Sequence, residues 1–185
     1  MKNLQKNLTY LVAFAFIAFS LNSCKPDKTK NDENEVITTI TLRVRDAVTN
    51  AVVGNFTFKD LDGDKPNLPV QFDTIKLAPS KTYKVDLVLL DETKTPADST
   101  SNEVSKERDD HLFVFKPTPG TGFVTVAITD KDSKNLPLGL ESIWTTGSAA
   151  SGSLQILLRH QPGAKNGTEA PGSTDLDVTF QVKLQ

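Results

Sequence analysis

Leu77-Ala78-Pro79-Ser80-Lys81-Thr82-Tyr83-Lys84-Val85-Asp86-Leu87 reads as a loop running into a strand. Tyr83, Val85 and Leu87 alternate with Lys84 and Asp86, so one edge of the strand packs inward and the other meets water. The same period of two recurs on both sides of it. Upstream, Ile40, Leu42 and Val44 alternate with Thr41, Arg43 and Arg45. Residues 46–50 make a turn, residues 52–59 form a strand with Phe56 and Phe58 on one side, and residues 71–77 form the third strand. Downstream, strands are predicted over 111–116, 122–129, 138–145, 153–160 and 175–184. Alternation places Trp144, the single tryptophan, on the face of Leu138, Leu140 and Ser142, where its default role is to anchor the core. Short strands separated by turn residues, with no long apolar helical pattern, make an all-β protein.

Residues 77–87 also resemble the L-x-P-x-x-x-Y-x-V-x-V run of fibronectin type III domains. The resemblance implies a tyrosine corner, with the Tyr83 ring in the core and its hydroxyl bonded back to the backbone where the chain crosses between sheets. The expected architecture is therefore a Greek-key β-sandwich, Ig/fibronectin III-like, of about nine strands with one short helix. Residues 91–110 supply the helix. Thr100 and Glu103 have the spacing of a capping box, and 101–109 would make two to three turns. A polar helix of that length persists only if it docks on something.

The amino terminus carries a different signal. Lys2 and Lys6 precede nine apolar residues, 11–19 (LVAFAFIAF), and then Leu21-Asn22-Ser23-Cys24. A membrane-spanning helix needs roughly 20 apolar residues, so this run fits an export signal instead. The four residues ending at Cys24 resemble the lipobox of bacterial lipoprotein precursors. That resemblance implies removal of the signal peptide 1–23 and diacylglycerol on the Cys24 sulfur. The alternative is an ordinary cleaved signal with Cys24 an incidental early residue. Cys24 is the only cysteine, and lipidation accounts for an unpaired thiol in an exported chain. Residues 25–35 (KPDKTKNDENE) have no apolar side chain except a proline. They cannot bury enough surface to offset the entropy of ordering, so 24–35 is read as a lipidated, disordered tether and 36–185 as the sandwich domain. Eleven extended residues reach roughly 35–40 Å. Mixed charge after Cys24 leaves both periplasmic and surface-facing orientations open on the outer membrane.

Removing residues 1–23 from 185 leaves 162 residues, enough for one domain with a sizeable core. The 21 basic and 23 acidic side chains become 19 and 23, a formal charge of −4. A mildly acidic domain without a basic stripe argues against nucleic acid and against electrostatic docking on anionic lipid, so membrane contact falls to the N-terminal lipid.

Three groups of residues could carry a site. Asp60, Asp62 and Asp64 stand at the i, i+2 and i+4 spacing that begins calcium loops, but glycine sits at position four and Gln71 stands where the closing glutamate belongs. Asp130 and Asp132 begin a second such loop, interrupted by Lys131. Both loops run into Asn-Leu-Pro, and backbone turns explain the same residues without an ion. The third group is histidine. If the helix continues to His111, then Glu103, Glu107 and His111 fall at i, i+4 and i+8 on one face. His160 ends a strand on the face of Leu154, Ile156 and Leu158 and points inward at the rim. Together they would give mixed N/O ligands suited to Zn²⁺, Cu²⁺ or Fe²⁺. The competing reading makes both histidines satisfied rim residues and the glutamates a solvated face. A cluster joining His111, His160 and Glu107 would favour a binding role; histidines more than roughly 15 Å apart, beyond one coordination sphere, would favour a structural one. No nucleophile elbow, Walker loop or paired-histidine zinc motif occurs, so catalysis has little support and the expectation is a protein that is not an enzyme.

Thr129-Asp130-Lys131-Asp132, Leu138-Gly139-Leu140, Trp144-Thr145-Thr146-Gly147, Leu157-Leu158-Arg159-His160-Gln161-Pro162 and Thr174-Asp175-Leu176-Asp177-Val178-Thr179-Phe180 are similar to a group of short gram-negative lipoproteins often labelled "type 1 periplasmic-binding fold". The resemblance covers most of the mature chain and implies an accessory role beside a TonB-dependent outer-membrane receptor. The fold in that label has two α/β lobes with long helices, which the strand pattern here opposes. The expected function is a lipid-anchored cell-envelope binding protein, accessory to nutrient or metal uptake. The alternative is a structural or adhesive Ig-like module with no small ligand.

Overall fold

The computed structural model describes residues 35–63 and 68–185. The stretches read from sequence as signal peptide and tether, up to residue 34 and including Cys24, and Asp64 lie outside the described residues. Among the described residues ten strands and one helix run in the order β1 (Thr39–Asp46), β2 (Val52–Lys59), β3 (Gln71–Phe72), β4 (Ile75–Leu77), β5 (Thr82–Leu90), α1 (Thr100–Lys106), β6 (His111–Thr118), β7 (Val124–Ile128), β8 (Glu141–Thr146), β9 (Ala150–His160) and β10 (Ser173–Leu184). They form a six-stranded sheet, β3-β2-β1-β5-β8-β7, and a four-stranded sheet, β4-β10-β9-β6. The protein is an all-β sandwich. Among the described residues no helix is long and apolar enough to cross a membrane.

Alternation builds the core. Ile40, Leu42 and Val44 of β1, Val85 and Leu89 of β5, and Trp144 of β8 are fully buried from one sheet. Leu154, Ile156 and Leu158 of β9, Phe113 of β6 and Phe180 of β10 meet them from the other. Ring contacts join the layers: Phe115 lies 6.2 Å from Trp144, and Phe72 lies 5.6 Å from Phe180, both edge-on. The Trp144 indole N–H is satisfied by Ser142 Oγ at 2.8 Å, on the face that alternation predicted.

Tyr83 makes the corner. Its ring is buried, its hydroxyl accepts the Ala78 N–H at 3.0 Å, and it donates to the Ala78 carbonyl at 3.3 Å. The corner pins the crossover from β4, in the small sheet, to β5, in the large one.

Several expectations need correction. Residues 71–77 are two strands in different sheets, because the chain changes sheet at Asp73. Asp73 Oδ2 accepts the Thr57 N–H and the Asp73 N–H donates to the Thr57 carbonyl, both at 2.9 Å, which ends the pairing with β2. That raises nine strands to ten. Leu138 precedes β8 instead of belonging to it. The capping box does not form: Ser99 is the N-cap and contributes no side-chain bond. The hydroxyls of the first turn are spent on docking. Thr100 Oγ1 donates to the Val36 carbonyl at 3.2 Å, and Ser101 Oγ accepts the Leu89 N–H at 2.6 Å. Val104, fully buried, completes the contact that holds so short a helix.

Candidate functional site

The helix stops at Lys106, with Glu107 as its C-cap, and does not reach His111. A turn comes next, closed by the Asp110 N–H on the Glu107 carbonyl at 2.9 Å. His111 is then the first residue of β6, and β6 pairs antiparallel with β9 so that His111 lies directly opposite His160. Cross-strand partners on one face sit with their Cβ atoms about 4.5–5.5 Å apart. The two imidazoles accordingly stack, with ring centres 4.8 Å apart and planes within 9°. Both face inward at the end of the sandwich, His111 fully buried and His160 8% exposed.

Donor atoms of Glu107, His111 and His160 lie within 4.8 Å of one another. The structure thus brings together three of the four residues named from sequence. Glu103, one turn earlier, is not in the group; its carboxyl lies beside that of Glu35.

A fourth polar residue enters through an irregularity. The β10–β9 register runs Thr174↔Arg159 and then Leu176↔Leu158, so Asp175 is the extra residue of a β-bulge. Strict alternation from Leu176, Val178 and Phe180 would send Asp175 to solvent. Instead its side chain is fully buried, with Oδ2 3.6 Å from His111 Nε2. Gly172 makes the approach possible. Its φ is +90°, and a Cβ there would stand 2.0 Å from the His160 carbonyl oxygen.

The surrounding loop is firmly laced. Gln161, fully buried, donates through Nε2 to the carbonyls of Thr168, Glu169 and Pro171 at 2.9, 3.1 and 2.9 Å. Arg159 donates to the carbonyls of Glu169, Pro171 and Gly172 and to Thr174 Oγ1, fixing the loop and the bulge together. Lys165 Nζ donates to the Arg108 carbonyl at 2.7 Å and ties the loop to the turn after α1.

Within this frame the site is short of partners. Among the described residues seven buried side-chain polar atoms lack a hydrogen bond. Five of them belong to this region: His111 Nε2, His160 Nδ1, Gln161 Oε1 and both oxygens of Asp175. Burial pulls the pKa of His111 down, but Asp175, the Glu107 carbonyl and the Glu35 charge outweigh it and hold the ring above the ordinary histidine value. Burial first, then the bond to Glu103 and its charge, push the Glu35 carboxyl up to about 7.

The two aspartate loops behave differently. Asp130 Oδ1 and Oδ2 accept the N–H groups of Gly139 and Leu140 at 2.8 and 2.9 Å. Asp132 Oδ1 accepts those of Lys134 and Leu136 at 2.9 and 2.8 Å, and Oδ2 lies 2.9 Å from Lys165 Nζ. These carboxylates are occupied, as the turn reading expects. Asp60 Oδ1 accepts the Asp62 N–H at 3.3 Å, a turn bond of the same kind. Asp64 lies outside the described residues. A separate cleft of about 500 Å³ opens between β6 and β7, lined by Phe113, Phe115, Val124, Val126 and Ile128 and not by the histidines.

Sequence reasoning missed Asp175, Glu35, Arg159 and Gln161 as parts of the site. The signal for Asp175 was the polar Gly-Ser-Thr-Asp start of an otherwise alternating strand, but nothing in spacing marks the bulge. Comparison with protein-family models, with curated proteins and with solved structures finds no match.

Proposed function

We propose that this chain is a lipid-anchored cell-envelope binding protein, accessory to outer-membrane nutrient or metal uptake, with its ligand site at the histidine–carboxylate rim. The observation that carries the reading is the convergence of Glu107, His111 and His160 within 4.8 Å, from a turn and two strands separated in sequence. The stacking of the two histidines at 4.8 Å, within the reach of one coordination sphere, supports the binding reading. Burying that many unpartnered polar atoms costs stability and is characteristic of sites kept for a ligand. The anchor rests on Leu21-Asn22-Ser23-Cys24 and on the single cysteine. A lipid on Cys24 would hold the domain at the membrane, within reach of a TonB-dependent receptor. The structural or adhesive alternative draws on one feature, the exposed apolar edge at β2 and β3, where Val52, Val70 and Phe72 are 75%, 68% and 51% exposed.

The test is genetic. A deletion strain is grown with limiting and replete transition metals and complemented with wild type, Cys24→Ala, or the His111→Ala/His160→Ala pair. The expected result is impaired growth and low cell metal under limitation, rescued by wild type alone. Full growth of the deletion strain in all media, with altered adhesion or envelope integrity, would favour the structural alternative.

A further inference from the structure

We propose that the rim is a site for a single zinc-class divalent cation, seated between His111 and the bulge residue Asp175, with His160 and Glu107 completing an N₂O₂ donor set. The inference rests on the binding role above and names its ligand.

The argument turns on one nitrogen. His111 Nδ1 lies 3.1 Å from the Glu107 carbonyl, and a carbonyl oxygen can only accept. Nδ1 therefore carries hydrogen, and in the neutral ring Nε2 is a bare lone pair. That lone pair faces an anionic oxygen of Asp175 at 3.6 Å, both side chains fully buried. Two acceptors do not face each other in a dry interior without a positive charge between them.

Either a proton or a metal ion can fill that gap, and the spacing separates them. A charged N–H···O bond closes to about 2.7–2.9 Å. Two ligands held at about 2.0–2.1 Å on a tetrahedral zinc lie roughly 3.3 Å apart. The observed 3.6 Å is nearer the second. A proton on Nε2 would also leave His160 Nδ1 and the far oxygen of Asp175 buried and unpartnered.

Two further features fit a metal site. The Nδ1–H···O=C bond fixes the tautomer and aims the ring, the usual outer-shell support for a ligating histidine. Nitrogen and carboxylate donors without sulfur select Zn²⁺ or Cu²⁺ over Ca²⁺ or Mg²⁺. A metal lies in the plane of the imidazole that binds it, and the rings are parallel within 9°. Loading therefore turns one ring. His160, 8% exposed, is the freer of the two.

The full chain, purified from its native membrane in detergent and stripped with chelator, is titrated with Zn²⁺ and, separately, Co²⁺. One ion per chain is expected, with a Co²⁺ visible spectrum of tetrahedral intensity. His111→Ala should weaken Zn²⁺ binding by at least about 100-fold and Asp175→Asn by about 10–100-fold, while Asp177→Asn, two residues along the same strand, leaves it unchanged. Zinc binding unaffected by Asp175→Asn would overturn the place given to Asp175. No zinc binding in the wild type would overturn the metal altogether; the genetic phenotype, if still dependent on the histidines, would then leave the binding role standing with another ligand. Should a variant fail to fold, histidine ¹⁵N shifts in the wild type decide the matter, since a nitrogen that takes up Zn²⁺ moves differently from one that takes up a proton. Shifts insensitive to Zn²⁺ would sink the proposal.

Discussion

Two polar regions of this sandwich contain the same kind of residue and treat it in opposite ways. In the loop that begins at Asp130, three of four carboxylate oxygens accept backbone N–H groups and the fourth meets a buried ammonium. At the rim, both oxygens of Asp175 and one nitrogen of each histidine are buried with no hydrogen bond. The first carboxylates hold backbone in place. Gly139 shows how tight that hold is: its φ is +104° and a Cβ would stand 2.6 Å from Phe113 Cβ, so the chain passes flush against β6 with its N–H aimed at Asp130. The second set makes no such bond. Composition does not separate a structural aspartate from a ligand; the destination of each lone pair does.

If that contrast is right, the loop should fail first. Asp132→Ala strands the Lys165 ammonium, whose side chain is fully buried, and removes two backbone acceptors. The expected loss is about 3 kcal/mol in urea unfolding. A loss under about 1 kcal/mol would place that ion pair in solvent and break the comparison. Next in size, Zn²⁺ at a hundred times its dissociation constant should raise the stability of the wild type by about 2.7 kcal/mol. The His111→Ala variant should gain nothing, and Asp132→Ala should gain as much as wild type. Calorimetry with and without the ion reads all three. Smaller again, Asp130→Asn turns one acceptor into a donor against the N–H of Gly139 or Leu140, at a cost of about 2 kcal/mol, with zinc affinity unchanged. Zinc binding lost in Asp130→Asn would mean the two regions are coupled.

Most of the fold was legible because its cause is local. Alternation located the strands, and Tyr83 to Ala78 is a contact within one segment. What failed were events without a local signature. The split of 71–77 depends on Asp73 meeting Thr57, and the idle capping box depends on Thr100 finding the Val36 carbonyl. The site was legible in its residue types and not in its construction. His111 and His160 were picked out, yet their meeting is a matter of β6–β9 register, and the predicted helical route to it was wrong in its geometry. Asp175 was illegible because a bulge reverses which way an odd-numbered residue points.

Between the two extremes lies Glu35, whose carboxyl neighbours that of Glu103 beside the rim. The Glu103 carboxyl beside it favours the protonated form of Glu35, so here the partner is neither a backbone N–H nor a vacant nitrogen. Folding raises the pKa of Glu35 from 4.5 to about 7. A group raised in the folded state stabilises it fully below its unfolded value and loses that contribution as pH climbs through the folded one. The pair should therefore weaken the protein between about pH 4.5 and 7. Water reaches Glu35, and screening keeps the effect below about 1 kcal/mol, a change of about 2–4 °C at most for a domain of this size. Glu35→Gln, which donates a hydrogen bond at every pH, should flatten the melting temperature across that window and leave zinc affinity unchanged. A slope that survives the substitution would assign the titration to another group. Loss of zinc binding would add Glu35 to the site.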